Sequence, residues 1–383
     1  MAQSHNLVPV TSRSSTFRAD IQGLRGIAII LVVGLHLNLS GFSAGFIGVD
    51  IFLVISGYVI TLSILKRPSR AFIANLSAFW EGRFVRIFPV AALVICVTVI
   101  ATFLLQGKAF DSDLFDDARW ASFYGTNFHL IQTGANYFIA GLDQSLFTHY
   151  WALAVEQQFY LAYPALLFGL SYLGSETSRI NILRVFLVAV VIASASWSIF
   201  DTEMNIVSAY FSPFTRFWEL AFGGFLATFA SSNRWRMLPF LGLGLLGFSM
   251  VYLNSSSAYP GYLAWVPVLG TGLLLYSPLK FLGITPLRYL GDISYSLYLW
   301  HFIWLVLPNQ LEDPITDQRM TWVFLAGAII TAVLSYQFFE KPIHKSVALK
   351  ADGYSALTVG LTCLLGTWVV ISIVENIYLQ ANV

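Results

Sequence analysis

Charge is scarce in this sequence. Only 11% of its 383 residues are Asp, Glu, Lys or Arg, where soluble domains carry about 25%, and a water-soluble fold is excluded on that ground. Cysteine is nearly missing too. Cys96 and Cys363 fall inside apolar runs without metal-ligand spacing, so both read as packing residues, and neither a disulfide framework nor a metal site is expected. The first 18 residues are polar and lack the apolar stretch and small-residue cleavage site of a secretory signal, so the first spanning helix is expected to act as an uncleaved anchor. No internal repeat or low-complexity tract stands out. The net charge of +1 says little about partners, and no nucleic acid is expected among them.

What the chain has in abundance is apolar surface: 57% hydrophobic residues, a mean hydropathy of +0.70, 32 Phe and 11 Trp. Apolar runs of about 17 to 25 residues recur, which is the length that crosses a bilayer as a helix. The expected fold is an all-α polytopic membrane protein. Eleven spans are expected, at 23–41, 45–65, 86–105, 150–173, 182–200, 214–231, 237–253, 262–277, 293–308, 321–339 and 354–377. The eighth is the weakest, because Pro260, Pro267 and Pro278 interrupt or bound it. Alternating sides leaves 17 Lys and Arg on one side and 4 on the other. That asymmetry predicts a cytoplasmic amino terminus and, with eleven spans, an extracytoplasmic carboxyl terminus. The loop 106–149, with its acidic "DSDLFDD", is then external and too long for a simple turn.

Charges inside spans are expensive and tend to mark function. In "DIQGLRGIAIILVVGLHLNL", Arg25 and His36 are eleven positions apart, about 16 Å along a helix. Arg25 is expected near the cytoplasmic surface, where an arginine can also simply snorkel. His36 is expected in or beyond the mid-membrane; one hydrogen bond would satisfy it structurally, yet imidazole is the side chain best suited to exchanging a proton near pH 7. In "GFIGVDIFLVISGYVIT", Asp50 lies near the outer end of the second span, either as an interfacial cap or as a carboxylate orienting His36, and Ser56-Gly57 offers a small-residue face for close approach. Arg83 and Arg86 of "FWEGRFVRIFP" share a helical face; they suit phosphate groups through forked hydrogen bonds, or serve only as positive-inside topology signals. Glu156 in "THYWALAVEQQFYLAYP" needs an Arg or His partner from another helix. Arg216 and Glu219 of "FTRFWELAFGG" can neutralise each other, a structural reading. In "ISYSLYLWHF", His301 reads as part of an interfacial Tyr/Trp/His belt.

Taken together and in order, these segments resemble the membrane-bound acyltransferase-3 family, the O-acetyltransferases of bacterial surface polysaccharides. The resemblance runs from Phe17 to about Pro342 and rests on Arg25 followed by His36, "GFIGVDIFLVISGYVIT", "RFVRIFP", "WALAVEQQFYLAYP", "RFWELAFGG" and "ISYSLYLWH". Where the family often has "EEQFY", this chain has Glu156 and Gln157. The resemblance implies a ten-helix transferase core, residues 1–345, followed by a linker and an extra helix, 346–383. It implies transfer of an acyl group from cytoplasmic acyl-CoA, acetyl-CoA by default, to a hydroxyl of an extracytoplasmic glycan across the bacterial inner membrane. Functional positions implied are Arg25, His36, Arg83, Arg86 and Glu156. The eleventh helix is similar to that of the subgroup in which it leads to an extracytoplasmic SGNH-hydrolase-like domain; here the sequence stops at Val383.

Acyl transfer from a thioester to an alcohol needs a base for the hydroxyl proton and a donor for the developing oxyanion. The expected mechanism has His36 as the base in a cavity reached from both sides. Asp50 or Glu156, or less readily Asp20, would fix its tautomer, and Arg25, Arg83 and Arg86 would hold the phosphates of coenzyme A. Direct transfer and an acyl-histidine intermediate both fit. No metal is called for. The rival classes are a proton-coupled transporter or flippase, which predicts inverted repeats and broken helices in matching halves, and a scaffold that only binds an acylated lipid or glycan.

Overall fold

The structure is a computed structural model and describes residues 18–66, 72–106, 110–135, 137, 144–170, 176–232, 235–311, 313–315, 317–346 and 353–381. Six of the cations behind the charge asymmetry, Arg13, Arg67, Arg70, Lys108, Arg234 and Lys350, lie outside the described residues, as do Phe17 and Val383.

Fifteen α-helices are described: α1 (Ala19–His36), α2 (Ile47–Leu65), α3 (Phe72–Gln106), α4 (Asp113–Ser122), α5 (Thr126–Thr133), α6 (Tyr150–Leu170), α7 (Glu176–Met204), α8 (Ile206–Phe211), α9 (Phe217–Ala227), α10 (Leu238–Tyr252), α11 (Trp265–Tyr276), α12 (Thr285–Val306), α13 (Gln318–Ser335), α14 (Lys341–Lys345) and α15 (Gly353–Ala381). Among the described residues, seven helical stretches are long and apolar enough to cross a membrane, and α9, α10 and α11 are shorter apolar helices. The protein is an all-α, multi-pass membrane protein. Every expected span meets a helix, but three of these helices fall short of a bilayer. The 11 residues of α9, 15 of α10 and 12 of α11 rise about 16, 22 and 18 Å, less than the roughly 30 Å hydrocarbon core. Pro213 precedes α9, and the cis Tyr259–Pro260 bond lies just before α11.

Two close helix contacts set the interior. Helix α1 lies against α12 so tightly that a Cβ on Gly291 would stand 1.9 Å from Gln22 O. Helix α2 meets α9 in the same way, with a Cβ on Gly57 falling 1.8 Å from Leu220 O, which is the small-residue approach expected at Ser56-Gly57. In α3, Pro89 removes one backbone donor from the helix. Tyrosines from neighbouring helices donate to carbonyls on either side of it: Tyr295 to Ile87 O at 2.7 Å and Tyr150 to Ala91 O at 3.3 Å.

The loop 106–149 holds helices α4 and α5, joined by His129 Nε2 and Asp117 Oδ1 at 2.9 Å, with the His129 ring stacked on Trp120. Helix α15 packs along α3 and reaches α4. There Arg119 pairs with Glu375, and Trp368 Nε1 donates to Ser122 Oγ at 3.0 Å.

Candidate active site

A charged arginine is expensive to place inside a bilayer, and three of them face one cavity. This cavity, about 170 Å³, is lined by Arg25 from α1, Ser56 from α2, Arg83 and Arg86 from α3, Glu156 and Tyr160 from α6, and Ser294 and Tyr298 from α12, with apolar walls between them. The i, i+3 spacing of Arg83 and Arg86 puts both on the face of α3 that looks into the bundle. Arg25 Nη2 donates to Ser294 Oγ at 2.9 Å. The Arg83 guanidinium sits over the rings of Phe79 and Tyr160, at 5.6 and 5.2 Å. Arg86 Nε lies 3.9 Å from Glu340 Oε1, whose other oxygen accepts from Ser296 Oγ at 2.9 Å. Glu340 comes from a single π-helical turn, Tyr336–Glu340, between α13 and α14; an extra residue in one turn is a common device at functional sites.

Glu156 belongs to this cavity. Its Oε1 accepts hydrogen bonds from Ser56 and from Tyr160. Among the described residues no carboxylate comes within 4.0 Å of Arg25 or Arg83. Gln22 Oε1, buried on the cavity lining, has no hydrogen-bond partner among the described residues. The cavity therefore offers unpaired guanidiniums and an orphaned acceptor, a donor set that suits a phosphate-bearing molecule that also carries N–H groups.

His36 is the last residue of α1 and lies outside the cavity lining. Its Nδ1 is 2.9 Å from Val32 O and 3.3 Å from His301 Nε2, and its Nε2 is 3.2 Å from the Tyr137 hydroxyl. A carbonyl can only accept, so the neutral ring carries its proton on Nδ1 and presents the Nε2 lone pair to Tyr137. Phe302 closes one side of the ring at 5.1 Å. His149 lies beyond, with its centroid 5.8 Å from that of His301 and its ring stacked on Phe302.

Tyr298 stands between the two groups. It lines the arginine cavity, its hydroxyl donates to His149 O at 2.7 Å, and its ring lies 5.7 Å from His149 and 5.6 Å from His301. The cavity expected to run from the arginines to His36 thus ends at a tyrosine.

The carboxylate expected to fix the His36 tautomer is not at His36. Asp50, 1% exposed, is taken by Arg216: Asp50 Oδ1 accepts from Arg216 Nη1 at 3.1 Å and from Tyr259 at 2.6 Å. The same Nη1 donates to Glu219 Oε1 at 3.0 Å, so the Arg216–Glu219 pair forms as expected but with a third member. A guanidinium outcompetes a neutral imidazole for a buried carboxylate, because only the charged partner offsets the loss of hydration. Trp151, Tyr210 and Tyr259 wall the Arg216 guanidinium, with centroids 5.0 to 5.4 Å away. Glu156 is likewise occupied within the arginine cavity. Asp20 pairs with Arg18 at 2.6 Å at the start of α1, at the opposite end from His36.

Sequence reasoning missed His149, Tyr137, Tyr298 and Glu340 as neighbours of the site, and it read His301 as belt. The signal for His301 was present in the i, i+3 spacing of Tyr298 and His301 on one helical face. Nothing local marked Glu340, whose inward aim depends on the π-turn.

Among the described residues, the helix bundle thus holds an arginine-lined cavity toward one end of α1 and an imidazole cluster at the other. A family profile for the acyltransferase domain matches residues 18–340, and the chain belongs to that family. It is similar to the peptidoglycan O-acetyltransferase OatA of Listeria monocytogenes, 32% identical over 361 residues that cover 88% of this chain and 57% of that protein. It is also similar to the O-acetyltransferase OatA of Staphylococcus aureus, 29% identical over 356 residues, 87% of this chain and 58% of that protein. A third relative is the putative peptidoglycan O-acetyltransferase YrhL of Bacillus subtilis, 31% identical over 85% of this chain and 54% of its own. The chain thus spans a little over half the length of these relatives. No solved structure gives a significant match.

Proposed function

We propose that the protein is an integral-membrane O-acetyltransferase of the bacterial inner membrane, which takes an acetyl group from cytoplasmic acetyl-CoA and delivers it to a hydroxyl of an extracytoplasmic glycan. The observation that carries this reading is the gathering of Arg25, Arg83 and Arg86 on one cavity, with His36 and Tyr137 one tyrosine beyond its end. The family and the names of the relatives support the reaction class. Peptidoglycan, the acceptor in two of those names, is the first acceptor to try, and an SGNH-type domain is a partner to look for.

In this reading Arg25, Arg83 and Arg86 hold the phosphates of acyl-CoA at the cytoplasmic mouth, and the bound donor supplies a thioester carbonyl. Glu156, held by Ser56 and Tyr160, accepts from donor N–H groups rather than acting on the imidazole. His36 Nε2 takes the proton of the hydroxyl as its oxygen adds to the thioester carbonyl, the C–S bond breaks, and the proton goes on to the departing CoA thiolate; Tyr137 marks where that hydroxyl must sit. Asp50, with Arg216, Glu219 and Tyr259, holds α2 to α9 and to the segment before α11.

Membranes containing the protein, given acetyl-CoA labelled in the acetyl group and purified peptidoglycan, should transfer label to base-labile esters on the glycan. Label left on acetyl-CoA, together with proton-coupled uptake of the glycan precursor, would favour a transporter instead. The arginines have their own test. The double variant Arg83→Ala, Arg86→Ala should bind acetyl-CoA about 100-fold more weakly, two charge-assisted contacts at roughly 1.4 kcal/mol each. Titration of the purified protein would show this, and unchanged affinity would remove the two arginines from the donor site.

A further inference from the structure

His301 is 0% exposed, and its ring is held by its own helix: Nδ1 lies 2.8 Å from Tyr298 O and 3.1 Å from Leu297 O. Both partners are carbonyls, so Nδ1 carries the proton and the Nε2 of neutral His301 is a lone pair. That lone pair points at His36 Nδ1, 3.3 Å away. His36 Nδ1 also carries its proton, because it faces Val32 O. The contacts therefore fit in one direction only: Tyr137 O–H to His36 Nε2, His36 Nδ1–H shared between Val32 O and His301 Nε2, His301 Nδ1–H to Tyr298 O. No donor meets a donor, and no lone pair meets a lone pair.

We propose that His301 is a positioning residue for His36, the neutral acceptor that does the work a carboxylate does for the histidine of a Ser-His-Asp triad. This inference rests on the reading of His36 as the base. When His36 gains a proton at Nε2, its Nδ1–H becomes the donor of a charge-assisted bond. The acceptors placed to receive it are His301 Nε2 and Val32 O. Asp50 and Glu219 take no part, since both close on Arg216. His149 does not take part either: its Nε2 faces Leu299 O at 3.2 Å, and its Nδ1 has no partner among the described residues. Locking the His301 ring by two carbonyls of α12 fixes the direction of its lone pair without any titratable group. An acceptor of this kind orients the base and spreads its charge while adding no net charge to the bilayer interior, where an unpaired carboxylate would be costly.

The alternative is that His301 only fills space between Tyr298, Phe302 and His36. Two substitutions separate shape from hydrogen bonding. His301→Phe keeps a ring of similar size and removes the acceptor. His301→Gln loses the ring and places an amide oxygen at about the reach of Nε2. Rates are measured in single-turnover acetyl transfer from bound acetyl-CoA, so that only protein able to hold the donor is counted. The expected result is that His301→Gln keeps kcat within about tenfold of wild type, while His301→Phe loses at least about 100-fold, both with KM for acetyl-CoA unchanged. His301→Phe as active as His301→Gln, or more so, overturns the proposal. His36→Ala run beside them tells the two readings apart. An inactive His36→Ala with an active His301→Phe removes only the role of His301. An active His36→Ala removes the base itself.

Discussion

Replacing His36 by alanine is expected to stop acetyl transfer while the protein stays folded and keeps its affinity for acetyl-CoA. The imidazole sits at the end of α1 and is half-buried, so its removal leaves the packing of the helix intact. What is lost is the Nε2 lone pair that faces Tyr137. A positioned base contributes about 10²- to 10⁴-fold, and the nearby His301 Nε2 and Glu156 carboxylate are engaged elsewhere: His301 Nε2 is turned to His36, and Glu156 accepts from Ser56 and Tyr160 in the arginine cavity. Purified variant and wild-type protein, compared in the same lipid with saturating acetyl-CoA, would decide it. Wild-type rates in the variant would mean that the proton leaves by another route.

The second large effect is on stability. Arg216 is 1% exposed and is the cation for two carboxylates, Asp50 at 1% and Glu219 at 0%. Arg216→Ala would leave both of them buried and uncompensated. Removing one partner from a buried ion pair costs about 3–5 kcal/mol, enough to unfold a marginal protein. Arg216→Lys keeps the charge but loses one side of the guanidinium fork, since Arg216 Nε also donates to Tyr210 O at 3.2 Å and a lysine has no second nitrogen to place there. Thermal unfolding in detergent should rank wild type above Lys and Lys above Ala. The triple change Asp50→Asn, Arg216→Met, Glu219→Gln should recover much of the loss. An Arg216→Ala protein as stable as wild type would show that water reaches these carboxylates.

These two experiments also show where the sequence is legible. Helix positions follow from runs of apolar residues, because a backbone in hydrocarbon must satisfy its own hydrogen bonds. The convergence of Arg25, Arg83, Arg86 and Glu156 on one cavity could be anticipated, since lone charges in separate spans must find shared surroundings. Their pairing could not. Asp50 and His36 come from consecutive helices, α1 and α2, yet the partner of Asp50 is Arg216, 166 positions along the chain. Arg216 and Glu219 are local, i to i+3, and that pair was readable; the third member depends on how α2 meets α9. The same holds at His36. Val32 is one turn back on its own helix, but His301 arrives from 265 positions away. A histidine beside tyrosines at a helix end looks like an interfacial belt until the opposite helix is in place.

Tyr298 has a consequence for the cell that carries such a protein. A continuous file of guanidiniums and imidazoles through the hydrocarbon would be an electrical shunt, a path along which ions and protons could drain the voltage that the membrane maintains, worth about 2.3 kcal/mol per elementary charge at 100 mV. The phenol ring of Tyr298, with Phe52 packed against it at 6.4 Å, interrupts that file between the arginines and the imidazoles. The break keeps the cost of such a leak out of the helix bundle while leaving both polar groups within it.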